Sequence, residues 1–595
     1  MAAVLLAAQF APPQSKYEPP AAQRAESLAA STKASPPNLL TPSELSGYKR
    51  TGRYAEAVAF ARRLEKLSPW VHVGKFGTTP QGRDMIMLVV SKDRAFTPGS
   101  AARTGKPVIY IQNGIHSGEI AGKDATFMLL RDMVVTKRFA SLLDRVILLV
   151  VPVFNIDGHE RMSAYNRMNQ NGPELMGWRA TAQGLNLNRD YLKADAPEMR
   201  ALLKIYTAWL PDMLIDNHVT DGADYQYDLT IGISTEQEVW PTVGRWSAGF
   251  LKSLMASLEK DGHVPGRYAD PRDRSDISKG LEAWGATPRF STGYAAIQNR
   301  VGVLVETHSL KSYRTRLWAH YDLMLRAIEY VANDPKSLKD AVAAADREVA
   351  EQAGRRMFVA GEAAEGPDKV VYRGLESRTE KAVAIGGVYP VYTPRPENLT
   401  VPMYDRVKPT FEPVVPVAYA VPPEWTSIID LLAAHGVRTE RLERARQADV
   451  EVYRFSDVKF APRPFEGRIR VSFKTASQAV RTTLPAGAVM VPMNQRAARV
   501  ALNILEPDAP DSAAAWGFIN PVFEQKEYAE AYLLEPLAQS MLANDAKLRA
   551  EFGERMKDPA FARDLRARRQ FFYEHSPYWD KAKDCYPVLR VMRLD

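Results

Sequence analysis

His116 and Glu119, three positions apart in His116-Ser117-Gly118-Glu119, can close on one metal ion from a tight turn or a helix start. His218, far downstream at the end of an apolar run, can supply a second imidazole. Two imidazoles, one carboxylate and an open position form the donor set of a catalytic zinc; a structural zinc has all four positions filled by protein. Glu306 is a further carboxylate at the end of another apolar run, where a general base would stand. A His-x-x-Glu alone occurs by chance in many loops and helices. Its weight comes from where it and its companions sit.

The run Pro107-Val108-Ile109-Tyr110-Ile111 is short, apolar and β-branched, as in a buried strand. Gln112-Asn113-Gly114 then signals a turn before His116, and Ala121 to Met133 has the apolar spacing of a helix. The motif therefore sits at the carboxyl end of a strand, the edge where open α/β sheets bind ligands. Met213 to His218 is a second strand-like run ending in a histidine, and Val301 to Val305 a third, ending at Glu306. Three polar groups at three strand ends are expected to converge on one rim. His308 shares a strand face with Glu306 if that strand continues, and is expected to hydrogen-bond backbone locally.

With these residues in place the chain resembles a zinc carboxypeptidase of the carboxypeptidase A-like (funnelin) family, over roughly Trp70 to Val331. Asn155-Ile156-Asp157-Gly158 resembles the family's Asn-Pro-Asp-Gly turn, and Gly184 to Asp190 (GLNLNRD) its Gly-Val-Asp-Leu-Asn-Arg-Asn block. The resemblance implies zinc bound by His116, Glu119 and His218, one ion per chain. It implies Glu306 as the general base and acid acting on a zinc-activated water, and Arg179, in Gly177-Trp178-Arg179, as the group polarising the scissile carbonyl. Asn188 and Arg189 then grip the substrate's terminal carboxylate, with Tyr294, on a glycine-containing turn, as the mobile tyrosine. Arg suits that clamp because its planar fork makes two parallel charge-assisted bonds to a carboxylate. The implied fold is α/β, a mixed central sheet with helices on both faces.

Two positions depart from the pattern. Asn186 stands where the family commonly has Asp behind the first zinc-binding histidine, so His116 is expected to be oriented by a neutral acceptor. Asp190 replaces a usual Asn, and either pairs with Arg189 or shapes substrate preference.

At 595 residues, 46% hydrophobic and 25% charged, the chain has the composition of a soluble globular protein of several domains. A net charge of +8 without any long Lys/Arg run argues against a nucleic-acid stripe. A single cysteine, Cys585, excludes an intrachain disulfide framework and a cysteine zinc finger. Met1 to Phe10 reads like the apolar part of an export signal lacking its positive start, which points to the periplasm or secretion; nothing reads as stable membrane insertion. The expected organisation is a lead-in over residues 1–45, a catalytic domain over 46–355, a β-rich, proline-rich connector over 356–421 and a smaller C-terminal α/β domain over 422–595. The connector call rests on β-branched runs alternating with Pro394, Pro396, Pro402 and Pro409. The C-terminal unit carries no chemical motif, and nothing sets an oligomeric state. The expected activity is hydrolysis of a C-terminal amide bond in a peptide with a free C-terminus. The alternatives are a zinc deacylase of N-acyl amino acids and an inactive peptide-binding relative.

Overall fold

The computed structural model describes residues 14–22, 39–220, 222–234, 238–274, 276–283, 285–366 and 368–595. The signal-like run Met1 to Phe10 lies outside them. Among the described residues no helix is long and apolar enough to cross a membrane.

The apolar runs become a mixed eight-stranded sheet in the order β1-β2-β4-β3-β5-β10-β6-β7. Its strands are β1 (Val71–Thr78), β2 (Asp84–Val90), β3 (Val108–Asn113), β4 (Ile147–Val151), β5 (Met213–Thr220), β6 (Leu229–Ile233), β7 (Pro265–Arg267) and β10 (Val301–His308). Strands β4, β3, β5 and β10 run parallel, and all four are buried along almost their whole length. Burial on both faces explains why they read as continuous Val/Ile/Leu runs instead of alternating ones.

The helices Ala121–Val134 and Tyr313–Asn333 pack together on one face. The short helix Ser291–Ile297 packs on β5 and β10 from the other, where Tyr294 meets Tyr206 of the helix Pro197–Trp209 with ring centroids 5.4 Å apart. Alternation along β5 sorts its polar residues between the faces. Asn217 hydrogen-bonds Asn113 and His320 on the first face, while Asp216 reaches Gln112 and Ser291 on the second. Register places Glu306 beside His218 across the β10–β5 pair.

Beyond this sheet, β8 (Ala269–Pro271) and β9 (Leu281–Ala283) join a long hairpin, β12 (Lys369–Lys381) with β13 (Val388–Tyr404). β11 (Ala360–Ala364) pairs with β14 (Arg406–Phe411). The last sheet has six strands: β15 (Ala418–Val421), β16 (Glu440–Arg441), β17 (Arg446–Phe460), β18 (Val471–Leu484), β19 (Val489–Pro492) and β20 (Leu589–Leu594). β15, at the end of the proline-rich stretch, pairs with β19 and β20 of that sheet. The helix Ala498–Leu505 is buried along its whole length, and its Arg499 donates to the backbone carbonyl of Ala296 at 2.7 Å, tying this region to the first sheet.

Candidate active site

The loop after β3 and the ends of β5 and β10 bring their polar groups to one rim. His116, Glu119 and His218 are all buried, and one ligand atom from each lies within 4.8 Å of the others. Nδ1 of His116 and Nδ1 of His218 face the Glu119 carboxylate at 3.3 and 3.0 Å. The opposite ring nitrogens are held from behind, His116 Nε2 by Asn186 Oδ1 at 3.0 Å and His218 Nε2 by Asp216 Oδ2 at 2.8 Å. Both rings are thus fixed with Nδ1 pointing into a shared space, as metal-binding imidazoles are. Burial pushes His116 down to about 4, so its ring stays neutral at pH 7. Burial acts the same way on His218, but the Asp216 and Glu119 carboxylates outweigh it and hold its protonation well above the ordinary range. Glu119 stays ionised; burial is overcome by Arg167 and the two imidazoles. Once a cation displaces the extra proton from His218, two imidazoles and an anionic carboxylate fit a divalent zinc.

Glu306 stands across a cleft of about 180 Å³ that these residues line together with Arg167, Arg179, Asn188, Arg189 and Tyr268. Its Oε2 is buried without a hydrogen-bond partner among the described residues, a vacancy in pairing that a water or cation at the triad would fill. Burial, with Glu119 and Asp216 adding to it and His218 opposing, pushes Glu306 up to about 8. A cation beside it would pull that value down.

The loop sequences explain how the arginines arrive. Asn155 Oδ1 caps the short helix Ile156–Glu160 by accepting from Gly158 N–H at 3.0 Å, while its Nδ2 donates to the Arg179 carbonyl at 3.0 Å. A Cβ at Gly158 would stand 2.6 Å from the Trp178 carbonyl, so only glycine lets the Gly177–Arg179 segment lie this close. Arg179 then reaches Glu119 Oε1 at 3.1 Å. Arg167, which has no sequence motif, reaches the same oxygen at 2.7 Å. Its side-chain stem fills the space a Cβ at Gly118 would need, 2.7 Å away.

Asn188 Oδ1 accepts from the Ser291 N–H at 3.1 Å, leaving its amide NH₂ toward His218. Arg189 packs its guanidinium over the Phe290 ring at 4.2 Å, with one N–H donated to the Asn188 carbonyl. Asp190 turns away from Arg189; it is fully buried, ion-paired with Lys193, and accepts from the Asp195 and Ala196 N–H groups. Asn186 is itself held from the C-terminal region, its N–H donating to Glu466 Oε2 at 3.1 Å. Next to Glu466, Arg468 grips Asp195 with two 2.7 Å bonds.

The structure does not bring Tyr294 to the cleft, which corrects the expectation that it sits on a movable turn. Tyr294 lies inside the fully buried helix Ser291–Ile297, with its hydroxyl bonded to His435 at 3.0 Å and Gln298 at 2.7 Å. The tyrosine at the cleft is Tyr268, which shares a hydrogen bond with Thr220. His308 also differs: its ring stacks on Tyr225 at 4.3 Å and faces Asp224 across 3.7 Å, not a backbone carbonyl.

Residues 57–230 match the peptidase family M14, zinc carboxypeptidase. The chain carries a zinc carboxypeptidase domain. Carboxypeptidase 2 of Trichophyton rubrum is 23% identical over 490 residues, covering 79% of this chain and 84% of the fungal protein. Carboxypeptidase 2 of Trichophyton equinum is 21% identical over 493 residues, with the same coverage. Among solved structures, carboxypeptidase A from Helicoverpa armigera is 18% identical over 54% of this chain and 80% of its own, with a TM-score of 0.38. The carboxypeptidase domain as matched contains His116, Glu119, Asn188, Arg189 and His218, whereas Glu306 lies beyond it.

Proposed function

We propose that the protein is a zinc metallocarboxypeptidase that removes the C-terminal residue of peptides, with His116, Glu119 and His218 as metal ligands and Glu306 as general base and acid. The observation that carries this reading is the convergence on one rim of two rear-anchored imidazoles, an ionised carboxylate and an unpaired Glu306 oxygen. When bound, zinc supplies Lewis acidity and lowers the pKa of a bound water toward neutrality. The chain's own groups do the rest. Glu306 accepts a proton from the attacking water and delivers it to the leaving amine. Arg179, or Arg167 beside it, offers a fixed positive charge to the oxygen on which charge develops; both reach the same edge of Glu119. Asn188 and Arg189 hold the free carboxylate, so the cut falls next to a chain end.

The names of the fungal relatives favour this activity over N-acyl amino acid deacylation. Retention of the triad and Glu306 favours turnover over mere peptide binding. We further propose that residues 46–355 form the catalytic unit, with the connector over 356–421 and the C-terminal unit over 422–595 packed on it, and that the protein is exported. The test of the clamp is Arg189→Ala. KM for free-acid peptides should rise by about 10-fold or more, as loss of a charge-assisted pair implies, while KM for C-terminally amidated peptides changes little. Equal losses on both would remove Arg189 from the clamp.

A further inference from the structure

Asn186 does two jobs at once, and its backbone must be held still for both. Its Oδ1 accepts from His116 Nε2 at 3.0 Å and from the Asn188 N–H at 3.0 Å. Asn186 caps the short 3₁₀ turn Leu187–Arg189, so its own N–H has no partner inside that turn. Glu466 Oε2 takes that N–H at 3.1 Å.

Glu466 stands in the loop between β17 and β18, the long antiparallel pair of the C-terminal sheet. Phe465 and Arg468 exchange N–H···O bonds of 2.8 and 3.1 Å around Glu466 (φ 49°) and Gly467 (φ 82°). Two central residues of positive φ are what a type I′ hairpin turn requires, and its first position suits Asn, Asp or Gly. Glutamate tolerates that backbone poorly. What it adds is a side chain long enough to reach Asn186.

The turn is braced on both sides. The Phe465 ring stacks on the buried Trp516 indole, with centroids 5.9 Å and planes 13° apart. Arg468 grips Asp195 with two 2.7 Å bonds and lies 3.7 Å over the Phe518 ring. At Gly467 a Cβ would come within 3.0 Å of the Leu185 side chain. Contacts at Leu185, Asn186 and Asp195 therefore clamp both ends of the segment that carries Asn188 and Arg189.

We propose that Glu466 is a positioning residue for the metal site: acting through Asn186, it fixes the His116 imidazole and supplies the negative charge that Asn186 lacks. The inference rests on the metal site of the carboxypeptidase reading. His218 has the Asp216 carboxylate directly behind its ring, whereas His116 has a neutral amide, and Glu466 places a carboxylate behind that amide. Negative charge behind a ligating imidazole raises its basicity and with it the affinity for metal. The same carboxylate attracts the Arg189 guanidinium. The C-terminal unit thereby becomes part of the site without contributing a ligand to it.

The test measures zinc Kd by chelator competition at pH 7, together with the melting temperature of the metal-free protein. It compares the unaltered full chain with Glu466→Gln, Glu466→Asn, Asn186→Asp and the double variant Glu466→Gln, Asn186→Asp. Glu466→Gln keeps the length and an acceptor but removes the charge. Zinc should then bind about 3- to 10-fold more weakly, less than the ~10–100-fold expected of a group that touches the ligand itself. Glu466→Asn suits the left-handed turn but is too short to reach Asn186. Its metal-free form should melt no lower than the unaltered chain, while its zinc affinity falls at least as far as that of Glu466→Gln. The gain from Asn186→Asp should be about 3-fold larger in the Glu466→Gln background, where the new carboxylate no longer faces a like charge.

Unchanged zinc affinity in both Glu466 variants would overturn the proposal. So would equal Asn186→Asp gains in the two backgrounds, or zinc losses matched in both Glu466 variants by a lower metal-free melting temperature. Release of C-terminal residues separates this inference from the reading beneath it. The expected zinc losses, in a protein whose unaltered form releases no residue, would sink the peptidase reading alone. Normal release with Glu466 variants that bind zinc like the unaltered chain would sink the Glu466 proposal alone. Absence of zinc binding by the unaltered chain would sink both.

Discussion

Replacing Asn186 by Asp should tighten zinc binding. The two imidazoles have unequal backing: Asp216, a carboxylate, stands 2.8 Å behind His218, and Asn186, a neutral amide, 3.0 Å behind His116. A full negative charge at residue 186 would lie about 6 Å from a cation on the far side of the ring. At an effective dielectric of ~20 this amounts to roughly 3 kcal/mol for each unit of cation charge. Two features oppose the gain. Residue 186 is only 9% exposed, so a carboxylate there loses most of its hydration. The Glu466 carboxylate already accepts the Asn186 N–H at 3.1 Å and would repel a second anion. The Asn188 N–H, which donates to Asn186 Oδ1 at 3.0 Å, would still serve the new carboxylate. If the opposing terms cancel most of the attraction, a tenfold to hundredfold tightening remains, or about 1.4–2.7 kcal/mol, the usual scale for residues that orient metal ligands. Competition with a chromophoric chelator at pH 7 reads this directly. Unchanged or weaker zinc affinity in a folded Asn186→Asp variant would refute the electrostatic reasoning.

Gly118→Ala should impair the cleft, because the new Cβ would meet the Arg167 stem at 2.7 Å and the Gly177 carbonyl at 2.9 Å. Arg167 can swing aside but the backbone cannot, so a loss of about 1–3 kcal/mol in stability is expected, with a fall in kcat/KM; wild-type melting and kinetics would contradict it. His263→Gln should destabilise the protein in a pH-dependent way. The imidazole lies between Asp228 at 2.5 Å and Asp322 at 3.0 Å; these carboxylates overcome burial and push it up to about 10. A raised pKa gives stabilisation that is complete below the unfolded value near 6.5 and is lost as pH rises through about 10. Denaturant titrations should therefore show a deficit of about 3–5 kcal/mol at pH 6 that shrinks toward pH 10, and a constant deficit would rule out the charge as its source.

The parallel strands were legible because burial on both faces leaves unbroken apolar runs, and the groups at their ends follow from that placement. Asp216 was missed, although a signal existed: it stands two residues before His218 on one strand, where alternation puts both side chains on the same face. Arg167 left no such trace, since its place depends on the missing side chain of Gly118, a contact between segments far apart in sequence. Tyr294 misled because Ser291-Thr292-Gly293 looks like a turn. In the folded chain Gly293 instead lets the helix approach the Thr287 carbonyl, where a Cβ would stand 2.1 Å away. Glu466 could not be placed from order alone, because it comes from a segment that meets the cleft only through tertiary packing.

The most direct measurement is zinc content together with C-terminal residue release from a peptide library, compared between the unaltered protein and Glu306→Gln. Both should hold one zinc per chain, and Glu306→Gln should release residues about 10²- to 10⁴-fold more slowly, the usual contribution of a positioned general base. Equal zinc with equal release would show that Glu306 is not the base, and the mechanism built on its place beside His218 would fail.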